Sequence, residues 1–145
     1  MSTAPHIEPV VCPGIVFSDS AIREQGTGKL SIIGSFAHFN SPGFPFLSPQ
    51  FIVTVLLSNI RGPIEGLPVT IRIEASGSAH VLASVSGQMN IGPEISGNEV
   101  LEVVFPVPPI AFPQAGTYDV NVLVGSEPIN RRPLFVRSIS ATPQQ

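Results

Sequence analysis

The spacing of glycine and proline limits what this chain can fold into more than any other feature of its sequence. The 145 residues include 13 glycines and 16 prolines. In a helix interior, glycine costs about 1 kcal/mol and proline about 3 kcal/mol relative to alanine. No window of 11 residues keeps a helical apolar period without one of them, so the sequence predicts no long helix. A single turn near residues 20–25 is the best helical candidate, and we expect it not to form.

Alternation of apolar and polar residues indicates strands at intervals of about ten residues. Eight segments have a strand pattern: 14–19, 29–39, 50–60, 69–74, 80–86, 101–105, 118–124 and 128–136. Prolines are absent from 15–41 and 69–92 and crowd into 42–49 and 106–113. Because proline cannot donate to a sheet, we expect central strands in the first two ranges and loops or edges in the other two. The residues expected in the core are Phe51, Val53, Val55, Ile71, Ile73, Leu101, Val103, Phe105, Tyr118, Val120 and Val122.

Many short strands with turn residues between them are typical of a β-sandwich or barrel. Tyr118 follows Gly116 at the start of a late strand, a pattern typical of the tyrosine corner of immunoglobulin-like domains. The sequence therefore predicts an all-β fold, an antiparallel immunoglobulin-like β-sandwich of about eight strands. We expect a single domain over residues 9–137, an N-terminal arm over 1–8 and a C-terminal tail over 138–145.

Three stretches carry a resemblance to a known family. They are Ser18-Asp19-Ser20 through Gly26-Thr27-Gly28-Lys29 to Gly34-Ser35-Phe36, Phe44-Pro45 to Pro49-Gln50-Phe51, and Gly116-Thr117-Tyr118 through Glu127-Pro128-Ile129 to Arg132-Pro133-Leu134. Together they resemble a family of small uncharacterised bacterial all-β proteins with a Thr-Gly-Lys hairpin and a strand ending in Gly-x-Phe. The resemblance covers nearly the whole chain. It implies a fold but no established activity and no site residues.

The low charge of the chain narrows its partners and its compartment. Charged residues make up 12% of the sequence, and the net charge is -3 with only 7 lysines and arginines, which argues against nucleic-acid binding because that rests on neutralising phosphates. Residues 1–11 lack the basic start and apolar run of a secretion signal. No apolar run approaches the ~20 residues that span a bilayer. We therefore expect a cytoplasmic protein that binds neither nucleic acid nor membrane, and the resemblance implies a bacterial source.

Two motifs invite a catalytic interpretation. Gly26-Thr27-Gly28-Lys29 resembles a phosphate-binding loop, but such a loop needs an earlier glycine where Arg23 stands and a Ser or Thr where Leu30 stands. A hairpin turn is the interpretation that we favour. Cys12, the only cysteine, has His6 as its one local base and no helix after it, so we expect a buried, inert thiol.

Histidines and glutamates are the remaining candidates for chemistry. His6, His38 and His80 lack the close spacing of metal-ligand pairs, and we expect imidazoles without a metal. Glu94, Glu99 and Glu102 form the main acidic cluster, which suits a solvated strand edge better than a calcium loop or an acid/base pair. The sequence therefore predicts no catalytic residue, no metal site and no cofactor, and a protein that is not an enzyme.

The function that we expect is that of a protein-interaction or assembly subunit. A soluble domain needs roughly 25–35% charged residues on its surface, well above what this chain supplies. Residues 14–17, 29–39 and 50–57 are also apolar on both strand faces, so one face needs a neighbour outside the core. We predict a homo-oligomer or a complex with another protein. The residues predicted to form the interaction surface are Phe39, Phe44, Phe46, Ile32, Ile52, Arg131 and Arg132.

Alternatives stay open at this point. The phenylalanines could plug one end of the sandwich, and Arg131-Arg132 could serve only to keep a sheet edge from pairing with other chains. The loop 39–49 could cover the outer sheet face within one chain. A small-ligand or carbohydrate-binding module is the alternative function, and the absence of tryptophan with a single tyrosine counts against it.

Overall fold

The computed structural model describes residues 10–139, in which the regular secondary structure consists of strands alone. Eleven strands follow one another within these described residues. They are β1 (Val11–Arg23), β2 (Leu30–Phe36), β3 (His38–Ser41), β4 (Phe46–Leu47), β5 (Phe51–Ser58), β6 (Ile64–Ala75), β7 (Val81–Ile91), β8 (Leu101–Val107), β9 (Ala111–Phe112), β10 (Gly116–Val124) and β11 (Glu127–Ser138). The predicted all-β class is confirmed.

The count of eight strands is wrong, because three short strands were not expected. The predicted segment 29–39 divides at Ala37 into β2 and β3. The two-residue strands β4 and β9 pair with each other inside the proline-rich segments 42–49 and 106–113. A ladder of two residues is too short to produce a visible alternation, so the sequence of both segments predicts only loops or edges.

Two main sheets contain the longer strands. One has four strands in the order β2-β1-β5-β8, and the other has five in the order β3-β11-β10-β6-β7. The predicted antiparallel pairing is wrong at one place, since β3 runs parallel to β11. The chain leaves the four-stranded sheet after Phe36 and enters the five-stranded sheet at His38. That direct passage brings β3 to the edge of β11 in the same direction.

The inward-facing residues of both sheets form one hydrophobic core. Phe51, Val53 and Val55 come from β5, while Ile71 and Ile73 come from β6, and all five are buried as predicted. Tyr118, Val120, Val122 and Phe105 are buried as well. The two exceptions, Leu101 and Val103, are half-buried, because they lie on β8 at the edge of the four-stranded sheet.

The side chain of Tyr118 ties the start of β10 to the preceding loop. Its hydroxyl donates a hydrogen bond to the carbonyl oxygen of Gln114 at 2.6 Å. Its ring packs edge-on against Phe112, with ring centroids 4.9 Å apart. The upstream backbone partner that a tyrosine corner requires is therefore present.

The four-stranded sheet is strongly curled, and one ion pair demonstrates it. Arg23 Nη1 lies 3.1 Å from Glu102 Oε1. Glu102 pairs with Leu56 on β5, and Leu56 pairs with Gly14 on β1. On a flat sheet the nine residues from Gly14 to Arg23 would separate Arg23 from that row by about 30 Å. The end of the β1–β2 hairpin therefore curls back over the outer face of the sheet, toward which Glu102 points.

Gly34 on β2 lies along this curled hairpin. Its φ is +70°, and a Cβ at this position would collide with the carboxylate of Asp19 on β1. Only glycine adopts this conformation readily. A glycine of this kind inside a strand marks a tight bend or a close approach of two backbones.

Candidate interaction surfaces

The outer side of the four-stranded sheet is an apolar surface that we name the concave face. The strand register shows which residues are neighbours on this face. Thr54 on β5 lies between Val16 on β1 and Val104 on β8, and Ile52 on β5 lies beside Ser18 on β1. The concave face consists of Val16, Ser18, Ile52, Thr54, Leu56 and Val104. Its apolar members are half-buried and lie outside the main core cluster. The predicted residue Ile52 thus lies on an outward face, as the apolar pattern on both sides of β5 indicated.

Thr54 and Ser18 lie at the base of the concave face and have an exposure of 0%. The Ser18 hydroxyl donates to the carbonyl of Ser20 at 3.1 Å. The Thr54 hydroxyl has no hydrogen-bond partner among the described residues. Such full burial on an outward face follows from the curl of the sheet, because the surrounding larger side chains converge over the central strand.

The β1–β2 hairpin carries three exposed isoleucines. Ile22 is 51% exposed, Ile33 48% and Ile32 38%. In the register Ile32 adjoins Ala21 and Ile33 adjoins Ser20, so Ile32 and Ile33 point to opposite sides of the hairpin. The hairpin thus presents apolar side chains in two directions.

The outer side of the five-stranded sheet is different in character. Arg72 Nη1 lies 3.8 Å from Glu74 Oε1, and Arg131 Nη1 lies 3.9 Å from Asp119 Oδ2. The Asn121 amide donates to Glu74 Oε1 at 3.3 Å. A groove of about 600 Å³ runs among these side chains. One outward face of the molecule is therefore polar and charged, and the other is apolar.

The predicted phenylalanines lie at one end of the core. Phe39 packs against Phe46 and Phe51 with ring centroids 5.5 Å apart in both pairs, and against Phe112 at 6.1 Å. Phe44 is half-buried and also packs on the core. The rings fill the opening between the two sheets, as in the plug alternative, and they keep part of their surface accessible. Their role in binding a partner stays a prediction.

The two predicted arginines have different environments. Arg131 has a side chain that is 72% exposed. Arg132 is half-buried, donates from Nη1 to the Ile15 carbonyl at 2.8 Å, and lies 4.4 Å from the centroid of the Phe17 ring. Arg132 therefore connects β11 to β1, where an exposed edge charge was expected. The alternation of β11 explains the difference, because Arg132 pairs with the buried Val120 and Arg131 with Asn121.

The residues considered for chemistry are dispersed. Cys12 is buried, and burial raises the pKa of its thiol above the ordinary value. His38 lies on β3 and His80 is exposed in the turn before β7, while His6 lies outside the described residues. In residues 10–139 no three His, Cys, Asp or Glu side chains are grouped so that they could hold a metal ion. Glu102 is committed to its pair with Arg23.

A groove beside β7 was not foreseen from the sequence. It has a volume of about 530 Å³ and is lined by residues 80–85 on one side and by residues 108–111 and Pro113 on the other. The sequence does contain one hint of an unusual edge here. β7 has no charged residue, whereas exposed edge strands usually carry charge or proline.

Comparison with known proteins places the chain in a family. A family of unknown function, DUF6941, matches residues 14–137. The chain belongs to this family. No curated protein matches it. The expectation of an uncharacterised family is confirmed, and the bacterial source and the defining motifs stay predictions.

The described residues of this DUF6941 chain present three surfaces of different character. The apolar concave face and hairpin lie on one side, the charged groove on another, and the uncharged edge of β7 on a third. Among residues 10–139, no helix is long and apolar enough to cross a lipid bilayer.

Proposed function

We propose that the protein is a non-enzymatic interaction or assembly subunit that associates with itself or with another protein. The observation that carries this proposal is the concentration of exposed isoleucines on the β1–β2 hairpin, next to an outward sheet face without an unpaired charge. Exposed apolar patches with polar surroundings are typical of interaction sites. The outer side of the five-stranded sheet, by contrast, carries the charged pairs Arg72–Glu74 and Arg131–Asp119.

The hairpin and the concave face form one continuous apolar surface in this proposal. Ile33 adjoins Ser20, which lies two residues from Ser18, and Ser18 adjoins Ile52. Residues two apart on a strand share a face, so Ile33 and Ile52 lie on the same side of the curled sheet. A stable interface removes about 800 Å² from each partner, and apolar area contributes about 25 cal/mol per Å² before the costs of association.

Light scattering and sedimentation velocity at 50 micromolar test the proposal. We expect a mass above the 15.3 kDa of one chain, or co-purification in a complex of fixed stoichiometry. Ile33→Glu and Ile52→Glu, which lie on this surface, should each weaken the association at least tenfold, and Ile32→Glu, on the other side of the hairpin, should weaken it less. Phe135→Glu is the matched control, because Phe135 is also exposed (37%) but lies in the five-stranded sheet. A monomer with no partner, or association unaffected by all three glutamates, would refute the proposal.

A small-ligand or carbohydrate-binding module is the second candidate function. The groove of about 600 Å³ with its paired Arg72, Glu74, Asp119 and Arg131 supports it. A polar ligand present at 100 times its dissociation constant would stabilise the fold by about 2.7 kcal/mol. A thermal-shift screen of glycans and zwitterions, repeated on Arg72→Ala, distinguishes this candidate, since binding in the groove must weaken in the variant.

We further infer that the two main sheets form an immunoglobulin-like sandwich and that the protein works in the bacterial cytoplasm. The Tyr118 hydroxyl bond to Gln114 supports the first inference. The single cysteine, which leaves no intrachain disulfide, supports the second. The domain boundaries at 9 and 137 belong to the same set of proposals.

A further inference from the structure

Strand β7 is an exposed edge of the five-stranded sheet. It is 11 residues long, with the sequence VLASVSGQMNI, and contains no charged residue and no proline. At the opposite end of the same sheet β3 covers only residues 135–138 of β11, and the uncovered part of β11 has Arg131 and Pro133; β8 at the edge of the other sheet has Glu102 and Pro106. β2 is also uncharged, but it is 7 residues long and has the left-handed Gly34. β7 therefore lacks the features that keep edge strands from pairing.

The free edge of β7 has unused hydrogen-bonding groups. β7 pairs with β6 on one side only, so every second residue directs its N–H and C=O away from the sheet. The loop and turn backbone hydrogen bonds of the described residues involve none of residues 81–91. The far wall of the groove contains Pro108, Pro109 and Pro113, which have no N–H to offer. The groove therefore leaves space beside β7, and these prolines donate no hydrogen bonds to the free carbonyl groups of the strand.

We propose that β7 of one molecule pairs antiparallel with β7 of a second copy, about a two-fold axis at Ser86. This register places Val85 opposite Gly87 and Ala83 opposite Met89, which are the residues on the core side of the sheet. On the other side it places Ser84 opposite Gln88 and Ser86 opposite itself. Apolar residues thus meet apolar residues, and hydroxyls meet amides and hydroxyls.

The charge pattern favours a second copy over a different partner. In a two-fold pairing, a residue at the axis faces its own copy, so a charge there meets a like charge and destabilises the pair. A different partner could supply the opposite charge instead. β7 has no charge along its whole length, so no like charges meet at the axis or elsewhere in this register. The Met89 side chain of the second copy would lie beside Ala83, at the groove formed with residues 108–113.

This inference goes beyond the proposed function, because β7 lies in the other sheet from the hairpin. The experiment therefore uses the Ile33→Glu variant, in which hairpin contacts are weakened, alongside the wild-type protein. We expect the Ile33→Glu protein to dimerise, with a mass twice that of the 15.3 kDa chain. Adding Ser86→Lys should raise the dissociation constant at least tenfold. Thr117→Lys is the matched control, because Thr117 is exposed on β10, an interior strand of the same sheet.

A crosslink reports the register directly. In a Cys12→Ala background, Ser86→Cys should form an intermolecular disulfide on mild oxidation, since residues facing each other in a ladder have Cβ atoms about 4.5–5.5 Å apart. Ser78→Cys, in the exposed turn before β7, should crosslink far more slowly. Equal rates, or a dimer that survives Ser86→Lys, would overturn the pairing even if the hairpin variants behave as proposed. A monomeric Ile33→Glu protein would overturn it as well.

Discussion

Replacement of Arg132 by methionine should destabilise the fold far more than the same change at its neighbour Arg131. The Arg132 guanidinium donates to the Ile15 carbonyl at 2.8 Å and lies over the Phe17 ring at 4.4 Å. A hydrogen bond from a charged donor contributes about 1.5–3 kcal/mol, and a cation–π contact about 0.5–2 kcal/mol. Methionine keeps most of the side-chain volume but leaves the Ile15 carbonyl without this donor. Methionine also avoids the cost of burying the charged guanidinium, which offsets part of this loss. We therefore expect the free energy of unfolding to fall by about 2 kcal/mol.

Arg131→Met supplies the control on the next residue. The Arg131 side chain is 72% exposed and lies 3.9 Å from Asp119, and surface pairs of this kind contribute at most about 1 kcal/mol. Urea unfolding followed by circular dichroism measures both variants. With a slope of 1–3 kcal/mol per molar urea, Arg132→Met should lower the midpoint by roughly 1 M. Midpoints that agree within the error of the measurement would show that Arg132 contributes no more than a surface arginine.

Three further outcomes follow from buried groups. Tyr118→Phe should cost about 1–3 kcal/mol in urea unfolding, because it leaves the Gln114 carbonyl without the phenolic donor; a change below about 0.3 kcal/mol would contradict this. Thr54→Val should stabilise the protein by about 1 kcal/mol, since the buried hydroxyl has no partner; a lower thermal midpoint in the variant would show that the hydroxyl is satisfied. Burial raises the pKa of the Cys12 thiol above its ordinary value of 9.0, so iodoacetamide should modify it slowly at pH 8 until urea unfolds the chain. As the pH rises through about 9, the thiol loses its proton in the unfolded chain before it does so in the folded protein. The free energy of unfolding should therefore fall above about pH 9. Rapid alkylation of the folded protein would contradict both expectations.

Alternation and turn residues were enough to predict the class of fold and most of the core. Each of the eight predicted segments contains a strand, because a strand buried on one face must repeat every two residues. The division at Ala37 could not be predicted in the same way. Residues 29–39 form one apolar pattern in the sequence. In the structure the first part joins the four-stranded sheet as β2, and the second part joins the five-stranded sheet as β3. Such pairing depends on the tertiary arrangement and leaves no local signal.

The candidate surface was predicted in part for a similar reason. The apolar pattern on both sides of β5 indicated that Ile52 faces outward, and the structure places it on the concave face. The pattern did not indicate that the β1–β2 hairpin curls over this face, because the curl brings together Arg23 and Glu102, which lie 79 residues apart, and leaves no local signal. Arg132 looked like an edge charge because the sequence does not reveal which side of β11 meets β1.

The passage at Ala37 gives the molecule a mechanical property. Phe36 ends β2 and His38 begins β3, so a single residue joins the hairpin arm to the other sheet. One residue spans at most about 3.6 Å, which leaves almost no slack between the two strands. β3 is held in turn by residues 135–138 of β11. A force that displaces the hairpin is therefore transmitted through Ala37 and β3 to β11, which belongs to the other sheet.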